Sequence, residues 1–217
     1  TILADSLEAA IGIEQGQDQT NRPLENTQTL DDTLLAVYND ALLLLGQDEL
    51  NSTTDDGNRR AKLDRAYAAN LVNLLLEKTK PQFARNTEKL IYAIRVNQPY
   101  AYAYDFKGVN HLTVMGVYRD RDLDEPIDRY VIDGQYLYCD YDEPIYLREI
   151  HSNVAVADWS PSFSRLVAAQ LAFNVLPAFN PEALEYVKGV LDGRMMDVMA
   201  EVERQEPRSR PIGTVNT

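Results

Sequence analysis

The stretch that decides the fold is residues 33–83, TLLAVYNDALLLLGQDELNSTTDDGNRRAKLDRAYAANLVNLLLEKTKPQF. Its first part repeats apolar residues at steps of three and four, which is helical spacing. The residues on that face are Leu34, Tyr38, Ala41 and Leu45, with Leu35 and Leu42 beside them. Gly46 follows, and glycine accepts the left-handed conformation in which many helices end. We therefore expect a helix over about residues 33–45.

The second part of the stretch predicts another helix, which the polar turn from Asn51 to Gly57 separates from the first. Its apolar stripe consists of Leu63, Tyr67, Leu71 and Leu74, with Ala66 and Leu75 beside it. We expect one helix over about residues 58–79, because Pro81 cannot continue it. Two neighbouring helices cannot bury both stripes on their own, so later elements must cover them.

Two further helices are predicted near the end of the chain. Residues 162–176 are apolar on nearly every side, which is typical of a central, buried helix. Pro161 and Ser160 suit its first position and its cap, and Pro177 is expected to end it. The last helix, over residues 181–205, has Asn180 as its expected cap. Its apolar residues, again at steps of three and four, are Leu184, Val187, Leu191, Met195, Val198 and Val202.

The segment between the helical pairs predicts a small antiparallel β-layer. Alternating or short apolar runs indicate strands between about Tyr100 and Ile150. Asp133-Gly134 lies between two such runs, and this dipeptide is typical of a type I′ hairpin turn, whose two central residues have positive φ.

The expected fold class is α+β: an antiparallel helical bundle with an inserted antiparallel β-layer and extended termini. The expected organisation is an N-terminal arm (1–32), a bundle formed by 33–98 plus 160–205, a β-rich insertion (99–159) and an extended C-terminal tail (206–217).

Composition excludes several classes of protein. The chain has 217 residues and a net charge of −13, with an isoelectric point near 4.6. General nucleic-acid binders need a basic surface for phosphates, so we do not expect one here. No apolar run approaches the roughly 20 residues of a membrane helix, and the acidic start predicts no signal peptide. The single Cys139 excludes an internal disulfide.

The search for catalytic motifs is mostly negative. The sequence has no phosphate-binding glycine loop and no Gly-x-Ser-x-Gly motif. His111 and His151 have no further His or Cys at metal spacing, and we interpret both as strand residues. Cys139 is interpreted as a small buried apolar residue.

Residues 120–125, DRDLDE, are the best candidate for a metal site. Their alternating acids resemble the start of a calcium loop, but the sixth position lacks glycine and Arg121 competes for the carboxylates. Asp140, Asp142 and Glu143 form a second acidic corner. We interpret both as solvated loops, without a metal ion or cofactor.

A series of segments is informative in its order and spacing. The segments are 35–42 (LAVYNDAL) followed by Leu45-Gly46, then Phe83-Ala84, 102–105 (YAYD), 130–137 (YVIDGQYL), 142–148 (DEPIYLR), 159–163 (WSPSF) and 168–172 (AAQLA). Together they resemble the tail tubular protein A family, the head-to-tail adaptors of short-tailed bacteriophages, over about residues 33–202.

The resemblance implies a structural virion protein without catalytic residues. Such adaptors form a ring, usually of about twelve copies, between the portal protein and the tail nozzle or tail tube. Double-stranded DNA passes through the ring during ejection without specific binding. An acidic channel wall would repel phosphate, so we expect some of Asp55, Asp56, Asp122 and Asp124 to face the ring axis.

The C-terminal tail combines local positive charge with two prolines and few apolar residues. Terminal segments of adaptors commonly dock on the portal, so the resemblance implies the same use here. The candidate docking residues are Arg208, Arg210, Ile212 and Val215.

Two other functions remain open from the sequence. One is a soluble regulatory binding module that acts as a monomer or dimer. The other is a metal-dependent hydrolase that uses the acidic loops of the β-layer.

Overall fold

The computed structural model describes residues 32–52, 57–91, 93–96, 99–105, 111–152 and 154–205. The described helices are α1 (Asp32–Leu44), α2 (Asn58–Ala68), α3 (Leu71–Thr79), α4 (Pro161–Phe179) and α5 (Leu184–Gln205). The strands are β1 (Arg85–Leu90), β2 (Ala93–Arg95), β3 (Tyr102–Asp105), β4 (His111–Tyr118), β5 (Tyr130–Asp133), β6 (Tyr136–Cys139) and β7 (Ile145–His151). Helices flank an antiparallel β-region, which confirms the expected α+β class.

Helix α4 is the centre of the helical core. It contacts α1, α2, α3 and α5, and nine of its 19 residues are buried. The ring of Phe163 is fully buried and meets Phe83 and Trp159 edge to face, with centroid distances of 5.2 and 5.4 Å. The prediction of a central helix from its all-round apolar surface is confirmed.

The expected single helix over residues 58–79 is instead two helices. The break falls at Ala69 and Asn70, where Asn70 takes a left-handed conformation with φ of 63°. Asparagine tolerates this region better than most residues do. The break resets the helical phase, so Leu71 and Leu75 are buried whereas Leu74 is 57% exposed. The prediction that Leu74 belongs to the core stripe is therefore wrong.

Proline and cap predictions had mixed outcomes. The Ser160 hydroxyl accepts a hydrogen bond from the Phe163 amide at 3.4 Å, which confirms the cap. Pro177 does not end α4, since the helix continues to Phe179. A proline this close to a helix end sacrifices one hydrogen bond without breaking the rest of the ladder.

The start of the last helix also differs from the prediction. The side chain of Asn180 makes no cap hydrogen bond, and a short 3-10 turn, Pro181–Ala183, precedes α5. That turn has a different period from an α-helix. As a result Leu184 is exposed, whereas Val187, Val198 and Val202 are buried as expected.

The β-region forms two sheets rather than one layer. One has the strand order β1-β7-β4 and the other β2-β3-β6-β5. Strands β1 and β2 lie before the expected range of strands. Their sequences, RNTEKL and AIR, are polar or short and carry little apolar alternation. The missed strands therefore had no strong local signal.

The hairpin between β5 and β6 is confirmed, but its turn type is not. Asp133 pairs with Tyr136, so Gly134 and Gln135 are the two central residues. Only Gly134 has a positive φ, of 58°. A type I′ turn needs two such residues, whereas glycine at the first central position is the requirement of a type II′ turn.

Strand β7 connects the two apolar cores. Ile150 packs into the helical core, whereas Ile145 and Leu147 pack into a second core between the sheets, together with Tyr104 and Leu137. The three-stranded sheet is thereby held to both parts of the protein.

Replacing Lys80 with glycine should stabilise the protein. Lys80 ends α3 in a left-handed conformation with φ of 48°. Glycine removes that strain, which costs about 1–2 kcal/mol. Glycine also loses more chain entropy on folding, so the net increase in the free energy of unfolding should be about 0.5–1 kcal/mol. Urea unfolding measures it. The control Lys78→Gly, inside the same helix and exposed, should lose about 1 kcal/mol; an equal loss in both variants would contradict the argument.

Replacing Tyr38 with phenylalanine should lower the free energy of unfolding at neutral pH. It should also reduce the amount by which that free energy falls at alkaline pH. The buried hydroxyl donates to Asp64 Oδ1 at 2.9 Å. Burial, and then the hydrogen bond to Asp64, raise the pKa of Tyr38. Its folded pKa exceeds the unfolded one, so its stabilisation is complete below the unfolded pKa and declines as pH rises above about 10.

The expected loss for Tyr38→Phe at pH 7 is about 1–2 kcal/mol. Urea unfolding at about pH 7 and pH 10.5 measures both effects, and the difference between the two pH values should shrink in the variant. Tyr186→Phe, at an exposed position of α5, should change neither value. Parallel pH profiles for wild type and Tyr38→Phe would show that another group causes the alkaline loss.

Candidate functional surfaces

The acidic loop, residues 120–125, is held in a defined shape by its own backbone. Asp120 accepts hydrogen bonds from the amides of Glu125 at 2.8 Å and Asp124 at 3.2 Å. Partial desolvation alone would raise the pKa of Asp120, but these backbone hydrogen bonds outweigh it and lower the pKa. Leu123 takes a left-handed conformation with φ of 65° at the tip. The Asp120 carboxylate therefore acts as a brace inside the loop.

The carboxylates of Asp122 and Asp124 take no part in these hydrogen bonds. Both residues are exposed, and within the described part of the chain neither side chain has a hydrogen bond or an ion pair. Two of the residues expected to face a ring axis thus lie together on one exposed loop. The other two, Asp55 and Asp56, lie outside the described residues.

The second acidic corner is occupied by contacts within the protein. Asp140 pairs with Arg129 at 3.4 Å and accepts from the amide of Ala101 at 3.0 Å. The Tyr102 hydroxyl donates to Asp142, and the Tyr141 hydroxyl donates to Glu143. Across the described ranges, no group of three His, Cys, Asp or Glu side chains is arranged to hold a metal ion.

Strand pairing brings together two residues that the sequence separates. His111 and His151 are directly opposite each other in the register of β4 and β7. The Nδ1 atom of His151 is buried and has no hydrogen-bond partner among the described residues. Sequence reasoning missed this pair because only the sheet register makes the two strand ends neighbours.

Cys139 is fully buried in the core between the sheets. Burial raises the pKa of its thiol, which disfavours the thiolate that a nucleophile needs. This environment agrees with the interpretation of Cys139 as a small apolar residue.

A polar joint that the sequence did not predict connects the two C-terminal helices. The Ser162 hydroxyl donates to Glu201, and the Ser160 hydroxyl donates to the same carboxylate at 3.3 Å. Gln205 donates to its other oxygen at 3.2 Å. The joint ties the start of α4 to the last turn of α5, directly before residues 206–217. The docking candidates Arg208, Arg210, Ile212 and Val215 in that tail lie outside the described residues.

Several large apolar side chains lie exposed on the helices. Leu43 on α1 is 67% exposed, and Tyr186 and Met196 on α5 are 61% and 71% exposed. Near Leu74 an apolar groove of about 240 Å³ runs between α3, α4 and α5. The helical part thus presents apolar surface beyond its own core.

The comparisons with known proteins leave the family open. No protein-family model matches the sequence, and a search of curated proteins finds no significant match. Within the described residues, no helix combines the length and the apolar character that crossing a membrane requires.

Proposed function

We propose that this protein is a structural virion protein, a head-to-tail adaptor whose copies form a ring between the portal and the tail. The observation that carries the proposal is the ordered series of segments that resemble the tail tubular protein A family. These segments fall on the elements that build the two cores: residues 35–42 on α1, 102–105 on β3, 130–137 on the β5–β6 hairpin and 159–163 at the start of α4.

The exposed apolar surface of the helices supports a role as a subunit of an assembly. Contiguous apolar surface on a protein commonly marks an interaction site. The residues that line one groove between the helices include Leu71, Leu74, Leu75 and Met195. Leu43, Tyr186 and Met196 are each more than half exposed. In a ring such side chains would be covered by a neighbouring copy or by the portal, and no catalytic residue is required.

The charge supports passage of DNA without specific binding. A chain with a net charge of −13 repels a phosphate backbone over most of its surface. The proposed partners are therefore other copies of the chain, the portal protein and the tail nozzle or tail tube, with DNA moving through the ring.

Native mass spectrometry and binding to purified portal rings test the proposal. We expect particles whose mass is a multiple of 24.6 kDa, of about twelve copies, that bind portal rings. A chain that remains a monomer or dimer both alone and with portal rings would contradict the adaptor. That outcome would favour the second candidate, a regulatory binding module, which the apolar groove between α3, α4 and α5 also suits.

A further inference from the structure

One face of the three-stranded sheet concentrates basic and aromatic side chains. The sheet register aligns Lys89 with Tyr146 and Tyr118, and Thr87 with Arg148. We call the basic face the set Arg85, Thr87, Lys89, Tyr118, Tyr146 and Arg148. The residues that alternate with these in the strands, such as Leu90, Leu147 and Val117, pack into the core between the sheets. The basic face is therefore on the side of the sheet that faces away from the four-stranded sheet. Ile150, which pairs with Arg85 on this side, packs into the helical core, so the helices cover that end of the side and leave Lys89 exposed at the other.

The contacts on the basic face hold its cations in place. Arg148 donates to the Thr87 hydroxyl at 2.7 Å, and Lys89 Nζ lies 6.0 Å from the centre of the Tyr146 ring. The ring of Tyr118 lies over Gly116, where an added Cβ would come within 2.9 Å of it. Arg148 and Lys89 are thus ordered by hydroxyl groups and rings rather than by carboxylates.

No carboxylate of the described residues forms an ion pair with Lys89 or Arg148. None of the paired residues of this face in β1, β7 and β4 is acidic. Desolvation, and then the nearby charge of Arg85, lower the pKa of Arg148, as expected when two cations lie close together. The chain as a whole has a net charge of −13, whereas this face is locally positive.

The acidic loop follows β4 at one edge of the same sheet, where Pro126 pairs with Tyr118. Arg119, at the start of this loop, places its guanidinium 5.0 Å from the centre of the Tyr141 ring. Tyr141 packs against the core between the sheets. The hydrogen bond to Glu143 and then desolvation raise the pKa of Tyr141, with a smaller contribution from the charge of Glu125. The basic face and the acidic loop thus consist of different residues of the β-region.

We propose that the basic face of one copy receives the acidic loop of a second copy, with Lys89 and Arg148 facing Asp122 and Asp124. Copies of so acidic a chain repel one another, and a contact between a basic and an acidic surface offsets this repulsion. Two different complementary surfaces on one chain produce a head-to-tail contact, which closes into rings when its rotation allows. This inference rests on the proposed function, since it names the contact between ring subunits.

The proposed contact places Asp122 and Asp124 between two copies of the chain. From the sequence, these residues were expected to face the ring axis. Residues that line a channel can be reversed in charge while the ring still assembles. Residues that contact a neighbouring copy cannot, because the reversed charge opposes the cations of that copy. Assembly of an Asp122→Lys, Asp124→Lys variant separates the two placements.

The test compares self-association of wild type with two reversed variants, by analytical ultracentrifugation. We expect Lys89→Glu with Arg148→Glu, and separately Asp122→Lys with Asp124→Lys, to weaken self-association by about tenfold or more. The chain that carries all four substitutions should recover assembly, since its acidic face and basic loop are again complementary. Added salt should weaken the wild-type contact.

Matched controls separate this contact from total charge and from misfolding. Arg65→Glu with Arg95→Glu makes the same charge change at exposed positions of α2 and β2 and should leave assembly intact. Lys89 is exposed and forms no ion pair with any residue that the structure describes. Lys89→Glu alone should therefore keep the wild-type circular dichroism spectrum and unfolding midpoint and still weaken assembly.

Three outcomes overturn the inference. In the first, wild type forms rings that bind portals and both reversed variants do the same, which leaves the proposed function intact. In the second, the wild-type chain stays monomeric. Binding to purified portal rings then tests the proposed function separately. In the third, the reversed basic face leaves assembly unchanged but abolishes retention on immobilised double-stranded DNA, which would assign this face to nucleic acid.

Discussion

Replacing Phe163 with alanine should lower the free energy of unfolding by about 3–5 kcal/mol. The ring is fully buried and packs edge to face against Phe83 and Trp159. Alanine removes the transfer free energy of the ring and both aromatic contacts, and it leaves a cavity at the centre of the helical core. Domains are typically stable by only about 5–15 kcal/mol, so a large part of the total would be lost.

Urea unfolding followed by circular dichroism measures this loss. Phe173→Ala is the control, because Phe173 lies on the same helix but is only partly buried, and its loss should be clearly smaller. Phe163→Leu should lose less than Phe163→Ala because it leaves a smaller cavity. A loss below about 1.5 kcal/mol for Phe163→Ala would mean that the core collapses around the missing ring.

Deleting residues 207–217 should leave a folded, helical protein that no longer attaches to DNA-filled heads. The core residues of α5 end at Val202, which packs beneath the last turn. The joint of Ser160, Ser162 and Glu201 remains intact. The truncated protein keeps every buried residue of the described ranges, so the unfolding midpoint should stay close to that of wild type.

Co-sedimentation with purified DNA-filled heads measures the attachment. The point variants Arg208→Ala with Arg210→Ala, and Ile212→Ala, should each weaken it, because the proposed docking combines charge with an apolar anchor. Val215→Ala should have a smaller effect, since it removes less apolar area. If the truncated protein sediments with heads as well as the full chain does, the tail is not the docking element.

Local signals in the sequence were sufficient to predict several of the helices. The apolar spacing in residues 33–45 predicted α1, and the all-round apolar character of 162–176 predicted the central helix α4. The Ser160 cap and the glycine of the β5–β6 hairpin were also visible. In each case the residues that interact lie within four positions of one another, so a short stretch of sequence is enough to predict the structure.

Competition between local signals was decided by packing. Asn70 interrupts the helix that the spacing of Leu63, Tyr67, Leu71 and Leu74 predicts, and Leu75 takes the buried position that Leu74 was expected to hold. Pro177 predicts a helix end, but α4 continues for one more short stretch to Phe179. The helix preferences of single residues do not show which of these signals the tertiary contacts will override.

The sequence by itself determined the α+β class, the central helix and the acidic loop as a surface feature. Only the tertiary structure decided that β1, β7 and β4 form one sheet and that Lys89, Arg148 and Tyr118 share a face. Helical contacts recur at fixed short spacing, whereas sheet contacts join residues that are distant along the chain. Alternation with a period of two does not specify which strand is the partner or in which register it pairs.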